Sequence, residues 1–262
     1  MKTLKIFAVL VMVTTGLTVT SCTKESASPS ATSLVVRIQA TNKSFSILKS
    51  ASLTTPSFAW DSSFIIVSKI EFEAEKRESE MSANPSNIQF EWDGPKKIDL
   101  FNLNSLIGNI MLQPGIYDEI SLKIKAFKTD AGVLPDFYLS GTYTNSAGSV
   151  IPIVFMVNED FEFKVKQEGS QLDAVNDYTS LISMNLNLLF AGIQSPDLDS
   201  ATLSNGKIII SNASNTSLYD KTIANLSSCE ESEFSKGKGS DSGDGHGSDS
   251  GKGNGSGSGS SY

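Results

Sequence analysis

The amino-acid sequence predicts an all-β fold: a single antiparallel β-sandwich domain with one C-terminal helix and a disordered Gly/Ser tail. Apolar and polar residues alternate with a period of two in six segments, which is the pattern of half-buried strands. The segments follow one another closely and show no alternation of strands with long helices, so we expect antiparallel sheets packed face to face. Half of the 20 glycines lie after Ser235, which excludes the end of the chain from a packed core.

Residues 1–21 are predicted to be a lipoprotein signal peptide. Lys2 and Lys5 precede an apolar run that is too short to span a membrane. Small residues then lead to Cys22, a junction that resembles the bacterial lipobox. We therefore expect Cys22 to be acylated, for example with palmitate, and to anchor the mature chain in the membrane. The alternative is an ordinary secretory signal followed by an incidental cysteine.

Residues 22–32 are predicted to be the lipidated Cys and a polar tether. Within them, Lys24-Glu25 resembles the surface-export signal of Bacteroidetes lipoproteins, although a merely polar tether has the same composition. Because the signal peptide carries two lysines and no acidic residue, its removal makes the formal net charge of −8 still more negative. An acidic chain is a poor ligand for nucleic acid or for an anionic membrane surface, so we expect neither as a partner.

The sandwich is predicted to occupy residues 33–228. The six alternating segments are 36–40, 69–74, 88–92, 120–126, 161–166 and 182–188. A turn at 145–148 separates two further strands, 137–144 and 150–157, and so predicts a hairpin. Pro152 lies inside the second arm and predicts an edge strand or a bulge, because proline cannot donate to a strand ladder.

One helix is predicted near residues 215–227, after a strand at 207–211. Its apolar residues recur at helical spacing and would lie on one face, with Asn215 or Thr216 as the cap. This helix would close the sandwich. A single helical turn is also expected at 104–108, and the disordered tail is predicted to span 229–262.

The single His and the two Cys exclude His-based triads, Cys–His dyads and Cys/His zinc sites from the domain. If Cys22 is acylated, Cys229 is the one remaining thiol, and it lies where the alternating pattern ends. It would be an incidental exposed thiol or would form an intermolecular disulfide. Three Asp and His246 in the tail match no EF-hand spacing, so we assign no metal ligand and expect no cofactor.

A motif in the first half of the domain resembles a known family. It consists of Ile98-Asp99-Leu100, then Leu106-Ile107-Gly108, then Pro114-Gly115-Ile116-Tyr117 and Ile120-Ser121-Leu122. This progression is similar to the DUF4382-type β-sandwich lipoproteins of Bacteroidetes, whose architecture is transthyretin-like or prealbumin-like. The resemblance covers residues 33–211, is best over 64–126, and implies a fold and a location but no chemistry.

Two residues of this motif have structural explanations. Tyr117 could bury its ring and bond its hydroxyl. Asp99 would accept from neighbouring backbone N–H groups rather than bind a ligand.

We predict that Trp60 and Asp61 contact a ligand, because they lie in a predicted loop rich in Pro, Ser and Thr. An exposed ring could stack on a glycan, whereas a Trp that covers the end of the core is the structural alternative. The other rings that could stack if exposed are Trp92, Phe137, Tyr138 and Tyr143. Ser200, within Asp199-Ser200-Ala201, resembles a short O-glycosylation motif of Bacteroidetes exported proteins.

Two acidic pairs, Glu71/Glu73 and Glu159/Asp160, are the remaining residue types suited to hydrolysis. Glu71 and Glu73 would lie on the solvated face of one strand, so we assign no catalytic residue and expect that the protein is not an enzyme.

The predicted function is that of a lipid-anchored protein of the cell outer membrane or cell surface of a Gram-negative bacterium. It would be a binding or adhesion module for a glycan or a protein. The alternative is a structural subunit, fimbrillin-like or acting in envelope assembly, that joins neighbours by strand exchange.

Overall fold

The computed structural model describes residues 31–47, 55–81, 84–128 and 134–237. The predicted signal peptide, Cys22 and the tail residues 238–262 lie outside the described residues.

The strands are β1 (Thr32–Thr41), β2 (Ser44–Ser46), β3 (Ser57–Arg77), β4 (Ser86–Asp99), β5 (Leu106–Leu112), β6 (Gly115–Ala126), β7 (Phe137–Thr144), β8 (Val150–Val157), β9 (Phe161–Leu172), β10 (Tyr178–Asn185), β11 (Leu203–Ser204), β12 (Lys207–Ile210) and β13 (Glu230–Lys236). The helices are α1 (Leu186–Leu189), α2 (Ser195–Asp199) and α3 (Thr216–Ala224). The prediction of an all-β sandwich with a C-terminal helix is confirmed.

Two sheets form the sandwich. The smaller sheet has the strand order β13-β10-β1-β5. The larger sheet has the order β11-β12-β8-β7-β3-β6-β9, and β2 and β4 also pair with β3. Buried apolar side chains of both sheets, such as Val36 of β1 and Ile70 of β3, meet in one continuous core. This core removes from water the apolar face that the alternating pattern gives strands such as β1 and β6.

The long strand β3 organises the larger sheet. Its first half, up to Ile65, pairs with β7, and its second half, from Lys69, pairs with β6. On its other side β3 pairs with β2 and then with β4. Rows of opposite residues therefore run across the four strands β4, β3, β6 and β9. In one such row, Ile70 lies opposite both Trp92 and Ile124, and Ile124 lies opposite Phe163. The period-two pattern fixes which face of these strands is buried.

The sheets are mixed, so the prediction of purely antiparallel pairing is wrong at two places. β1 pairs with β10 in parallel, with Leu34 opposite Tyr178, and β12 pairs with β8 in parallel. β8 therefore lies between β12 and β7, and Pro152 does not mark an edge strand. The ladder between β12 and β8 begins at Ile153, one residue after Pro152, so the missing N–H falls outside that ladder.

The domain extends beyond the predicted boundary at residue 228. β13 pairs with β10 over seven residues, and Cys229 is fully buried, so the tail does not begin at 229 and the thiol is not exposed. The sequence of β13 is acidic and lacks an apolar alternation, so it does not show the strand pattern. The strand is held at the edge of the sheet by its pairing with β10. Its Phe234 packs on Tyr178 with ring centroids 5.9 Å apart.

The helical predictions were partly correct. α3 lies at the predicted position, but Asn215 has φ 49° and its side chain bonds Thr202 and Ile209 instead of capping the helix. The alternation over 182–188 predicted a continuous strand, whereas the Asn185 side chain ends it by capping α1. α1 and α2 were not predicted. The helical turn at 104–108 is wrong, because a tight turn precedes Leu106, where β5 begins.

Candidate functional site

Trp60 is a core residue rather than a surface contact. It lies in β3 and is 3% exposed, and its ring stacks on Phe58 and Phe190 at 5.3 and 5.1 Å between centroids. The predicted loop is wrong because this Ser-rich segment pairs with β7, a partner that its composition does not indicate. The structural alternative, a Trp that covers the core, describes Trp60 in this fold.

Asp61 lies in a β-bulge and is exposed, although the neighbouring Trp60 is buried. Trp60 is opposite Gly141 and Ser62 is opposite Ser140, so Asp61 is the extra residue between them, and it is exposed. A Cβ atom at Gly141 would lie 2.1 Å from the carbonyl oxygen of Ala59, which explains the glycine beside the bulge. Asp61 is therefore accessible at the surface, whereas the ring of Trp60 is not.

The remaining candidate rings are mostly buried. Phe137 and Tyr143 have no exposed surface. Tyr138 is half-buried and stacks on Phe64 with centroids 5.1 Å apart, and Trp92 is half-buried. A glycan that stacks on flat rings would find few accessible faces among these residues.

Ser200 lies at the surface as the C-cap of α2, where its hydroxyl donates to the Pro196 carbonyl at 2.7 Å. The neighbouring Asp199 carboxylate accepts from the Tyr143 hydroxyl at 2.6 Å and from the Ser146 hydroxyl. Burial, followed by this hydrogen bond to Asp199, raises the pKa of Tyr143. Ser200 is thus accessible to a modifying enzyme, and its O-glycosylation stays a prediction.

The acidic pairs lie in different settings. Glu71 belongs to an ion-pair network, with Lys125 Nζ at 2.6 Å and Lys69 Nζ at 3.5 Å from its Oε1 atom. The hydrogen bond from Lys125 holds the pKa of Glu71 below its usual range, against the opposing effect of desolvation. At the other pair, Asp160 accepts from the backbone N–H of Lys128 at 2.6 Å. Glu71 is thus held ionised on the outer face of the sheet, which is the solvated face that the alternation predicts.

The two motif residues have the structural roles that the sequence predicts. The carboxylate of Asp99 accepts from the backbone N–H of Phe101 at 2.9 Å. The ring of Tyr117 is fully buried, and its hydroxyl donates to the carbonyl of Gln113 at 2.7 Å. Burial raises the pKa of Tyr117 to about 12.

A feature that sequence reasoning missed lies where β4 and β5 meet. Among the described strands, β4 pairs only with β3 and β5 pairs only with β1, so both leave one edge open on the same side of the sandwich. Lys96 Nζ of β4 donates to the carbonyl oxygen of Ile107 of β5 at 3.0 Å. We call this surface the β4–β5 side.

A groove of about 210 Å³ runs between the two strands of the β4–β5 side. Its lining includes Val36, Ile70, Phe90, Trp92, Ile107 and Gly108. A Cβ atom at Gly108 would point at the Ile70 Cδ1 atom at 3.8 Å and would otherwise meet no atom within 4 Å. The absence of a side chain at Gly108 therefore helps to keep the groove open.

One large apolar side chain of the groove lining is exposed. Phe90 of β4 is 42% exposed, although it faces inward on the same side of its strand as Ile88 and Trp92. Leu106 and Met111 of β5 are 41% and 62% exposed, but they lie opposite Arg37 and Ser33 on the outer face of the smaller sheet and outside the groove. An exposed aromatic ring beside an apolar groove is a feature of interaction surfaces. The alternation predicted Phe90 to be buried, because a sequence pattern does not show that a strand lies at an open edge.

A second depression of about 560 Å³ lies between β2 and the connection from α1 to α2. Phe45, Ile47, Leu188 and Phe190 form part of its wall. Ile47 lies at its rim, and residues 48–54, which follow, are outside the described residues. The described residues alone therefore do not enclose this depression.

Comparisons with family models, with curated proteins and with solved structures found no match to this chain. The resemblance to DUF4382-type domains therefore stays a prediction. The described helices include none that is long and apolar enough to cross a membrane. In the described ranges, no three His, Cys, Asp or Glu side chains are grouped so that they could hold a metal ion.

Proposed function

We propose that this chain is a lipid-anchored envelope protein whose sandwich is a non-catalytic binding module for a protein ligand. The observation that carries the proposal is the β4–β5 side, where two open strand edges flank an apolar groove. An extended peptide can pair its main chain with an open edge and insert alternate side chains into such a groove. The lipobox-like junction at Cys22 supports the anchor, and the resemblance to outer-membrane or cell-surface lipoproteins supports the location.

A protein ligand fits the described surface better than a glycan does. Trp60, Phe137 and Tyr143 are buried, so their ring faces cannot stack on a sugar. The exposed apolar ring of the groove instead lies along a strand, at Phe90. Peptide main chain can also satisfy the unpaired backbone groups of an open edge, which sugar hydroxyls match less regularly.

A structural subunit that exchanges strands is the second candidate. β13 favours it, because this last described strand pairs only with β10 and leaves most of its side chains exposed. A strand held mainly by main-chain bonds can be replaced by the same strand of a neighbour. Dilution of a purified assembly would then release monomers slowly, because each exchange requires β13 to detach.

The anchor is tested by metabolic labelling with an alkyne analogue of palmitate. Wild type and the Cys229→Ala variant should both be labelled and should fractionate with the envelope. Cys22→Ser should lose the label and the envelope association. Equal labelling of Cys22→Ser and wild type would contradict acylation at Cys22.

The binding role is tested by filling the groove. Immobilised wild type and Gly108→Leu are compared for the proteins that they retain from envelope extracts, with Ser121→Leu on the solvated face of β6 as the matched control. We expect a protein that wild type and Ser121→Leu retain and that Gly108→Leu does not. Equal retention by all three, or a glycan-array signal that Gly108→Leu leaves unchanged, would contradict protein binding at this side.

A further inference from the structure

Part of the β4 edge lacks the features that keep strand edges from pairing. Natural edge strands carry inward-pointing charges, prolines or bulges that block a second chain. Between Ser86 and Asp93, β4 has no proline, and its inward-facing residues Ile88, Phe90 and Trp92 are all apolar. The first proline of the strand is Pro95. Eight residues of β4 therefore present an edge that another strand can join.

The sequence of this segment is complementary to itself when one copy is reversed. Amide side chains, Asn87 and Gln89, precede Phe90, and carboxylates, Glu91 and Asp93, follow it. Reversal about Phe90 places Gln89 opposite Glu91 of the other copy and Asn87 opposite Asp93. Residues directly opposite on antiparallel strands have Cβ atoms about 4.5–5.5 Å apart, so each amide can donate to a carboxylate.

Other registers lose this complementarity. Reversal about Glu91 would bring two Glu91 carboxylates together, and like charges directly opposite one another are destabilising. A shift of pairing by one residue would place Phe90 opposite Glu91 and would mismatch the buried and solvated faces. The Phe90-centred register alone sets Phe90 against Phe90 and gives every carboxylate of the segment an amide partner.

We propose that β4 pairs in antiparallel fashion with β4 of a second copy of this chain, with Phe90 at the two-fold axis. This inference rests on the proposed binding role of the β4–β5 side and names the partner. The strand order through the dimer is β9-β6-β3-β4 continued by the same four strands in reverse. The two Phe90 rings, each 42% exposed in one copy, cover one another. Because the contact is isologous, it closes at two copies and leaves no free β4 edge between Asn87 and Asp93.

The register is tested in envelopes that contain two differently tagged full-length chains. One chain carries Gln89→Cys and the other carries Glu91→Cys, and mild oxidation follows. A disulfide requires Cβ atoms about 3.5–4.5 Å apart, so we expect the mixed pair to cross-link about tenfold more than either variant alone. The matched control is Glu162→Cys with Lys164→Cys, which has the same spacing on the opposite edge strand β9 and should not cross-link.

A second experiment measures the molecular mass of variants that carry no new cysteine. Phe90→Lys places a charge on the inward face of the edge, whereas Phe127→Lys makes the same change at a residue that is 44% exposed at the end of β6. The molecular mass of the detergent-solubilised full chain should be that of a dimer for wild type and Phe127→Lys. It should be that of a monomer for Phe90→Lys.

The outcomes separate this inference from the proposed function. A wild-type monomer, or equal cross-linking by Gln89→Cys alone and by the mixed pair, overturns the Phe90-centred dimer. If the Gly108→Leu change still abolishes retention of a different protein, the proposed binding role stands and only the identity of the partner is wrong. If wild type forms no dimer and retains no protein that Gly108→Leu fails to retain, the Phe90-centred dimer and the proposed binding role are both wrong.

Discussion

Lys96 Nζ lies 3.0 Å from the carbonyl oxygen of Ile107, and this hydrogen bond joins the edge strand of one sheet to the edge strand of the other. The acceptor residue, Ile107, also lines the groove of the β4–β5 side. One lysine thus links the two sheets next to the candidate binding surface.

Replacement of Lys96 by Met should weaken this connection while preserving the aliphatic stem. We expect the free energy of unfolding to fall by about 1 kcal/mol, because a charged donor to a part-buried carbonyl is lost. Urea denaturation measures the change, with Lys207→Met at an exposed position of β12 as the control. Equal effects of the two substitutions would contradict a specific role for Lys96.

The pair Tyr143 and Asp199 should stabilise the packing of α2 on β7. Their 2.6 Å hydrogen bond joins a fully buried phenol to a carboxylate of the helix. Tyr143→Phe and Asp199→Asn should each destabilise, and a double-mutant cycle should give a coupling of about 1 kcal/mol. Additive effects of the two substitutions would show that the bond contributes nothing to stability.

Cys229 should be unreactive in the native protein. Its thiol is fully buried and donates to the Leu226 carbonyl at 3.2 Å, and burial raises its pKa to about 12. Thiol reagents should modify it only after denaturation, so a modification rate equal to that of the unfolded chain would contradict this account. The intermolecular disulfide considered from the sequence would require local unfolding.

The raised pKa of Cys229 also predicts a pH dependence. The folded pKa of about 12 exceeds the unfolded value of about 8.5, so the neutral buried thiol contributes fully below the unfolded pKa. That contribution should be lost as the pH rises from there towards the folded pKa. Wild type should therefore lose stability relative to Cys229→Ala above about pH 8.5. A constant difference over the alkaline range would contradict the burial of the thiol.

Glu71 predicts the opposite dependence at acid pH. Its folded pKa is lowered, chiefly by the Lys125 hydrogen bond, so its contribution is present above the unfolded pKa of about 4.3 and is lost as the pH falls through the folded pKa. Wild type should exceed Glu71→Gln in stability by less than about 1 kcal/mol at neutral pH, and the difference should disappear in acid. Glu73→Gln on the same outer face is the control.

The sequence predicted those parts of the fold that depend on neighbours along the chain. The hairpin arms Phe137–Thr144 and Val150–Val157 are as predicted, because a turn signal and two alternating runs lie within one short segment. The parallel partner of β1 could not be predicted, since Leu34 meets Tyr178, and local periodicity carries no information on such distant pairing. The end of β10 depends on one capping side chain, Asn185, within a pattern that otherwise continues.

The candidate site was less predictable than the fold. Composition suggested a loop around Trp60, but pairing with β7 buries that ring in the core. Phe90 was correctly assigned to the apolar face of its strand. Its exposure could not be predicted, because it depends on the position of β4 at an open edge and on the missing side chain at Gly108.

Site-specific photo-cross-linking in intact cells tests most directly the claim that the β4–β5 side is the binding surface. A photoreactive phenylalanine analogue replaces Phe90 in one full-length chain and Phe127, of similar exposure, in another. The account predicts protein adducts from position 90 that Gly108→Leu diminishes, with a mass of two chains if the partner is a second copy. Adducts from position 127 alone, or equal adducts from both positions, would contradict it.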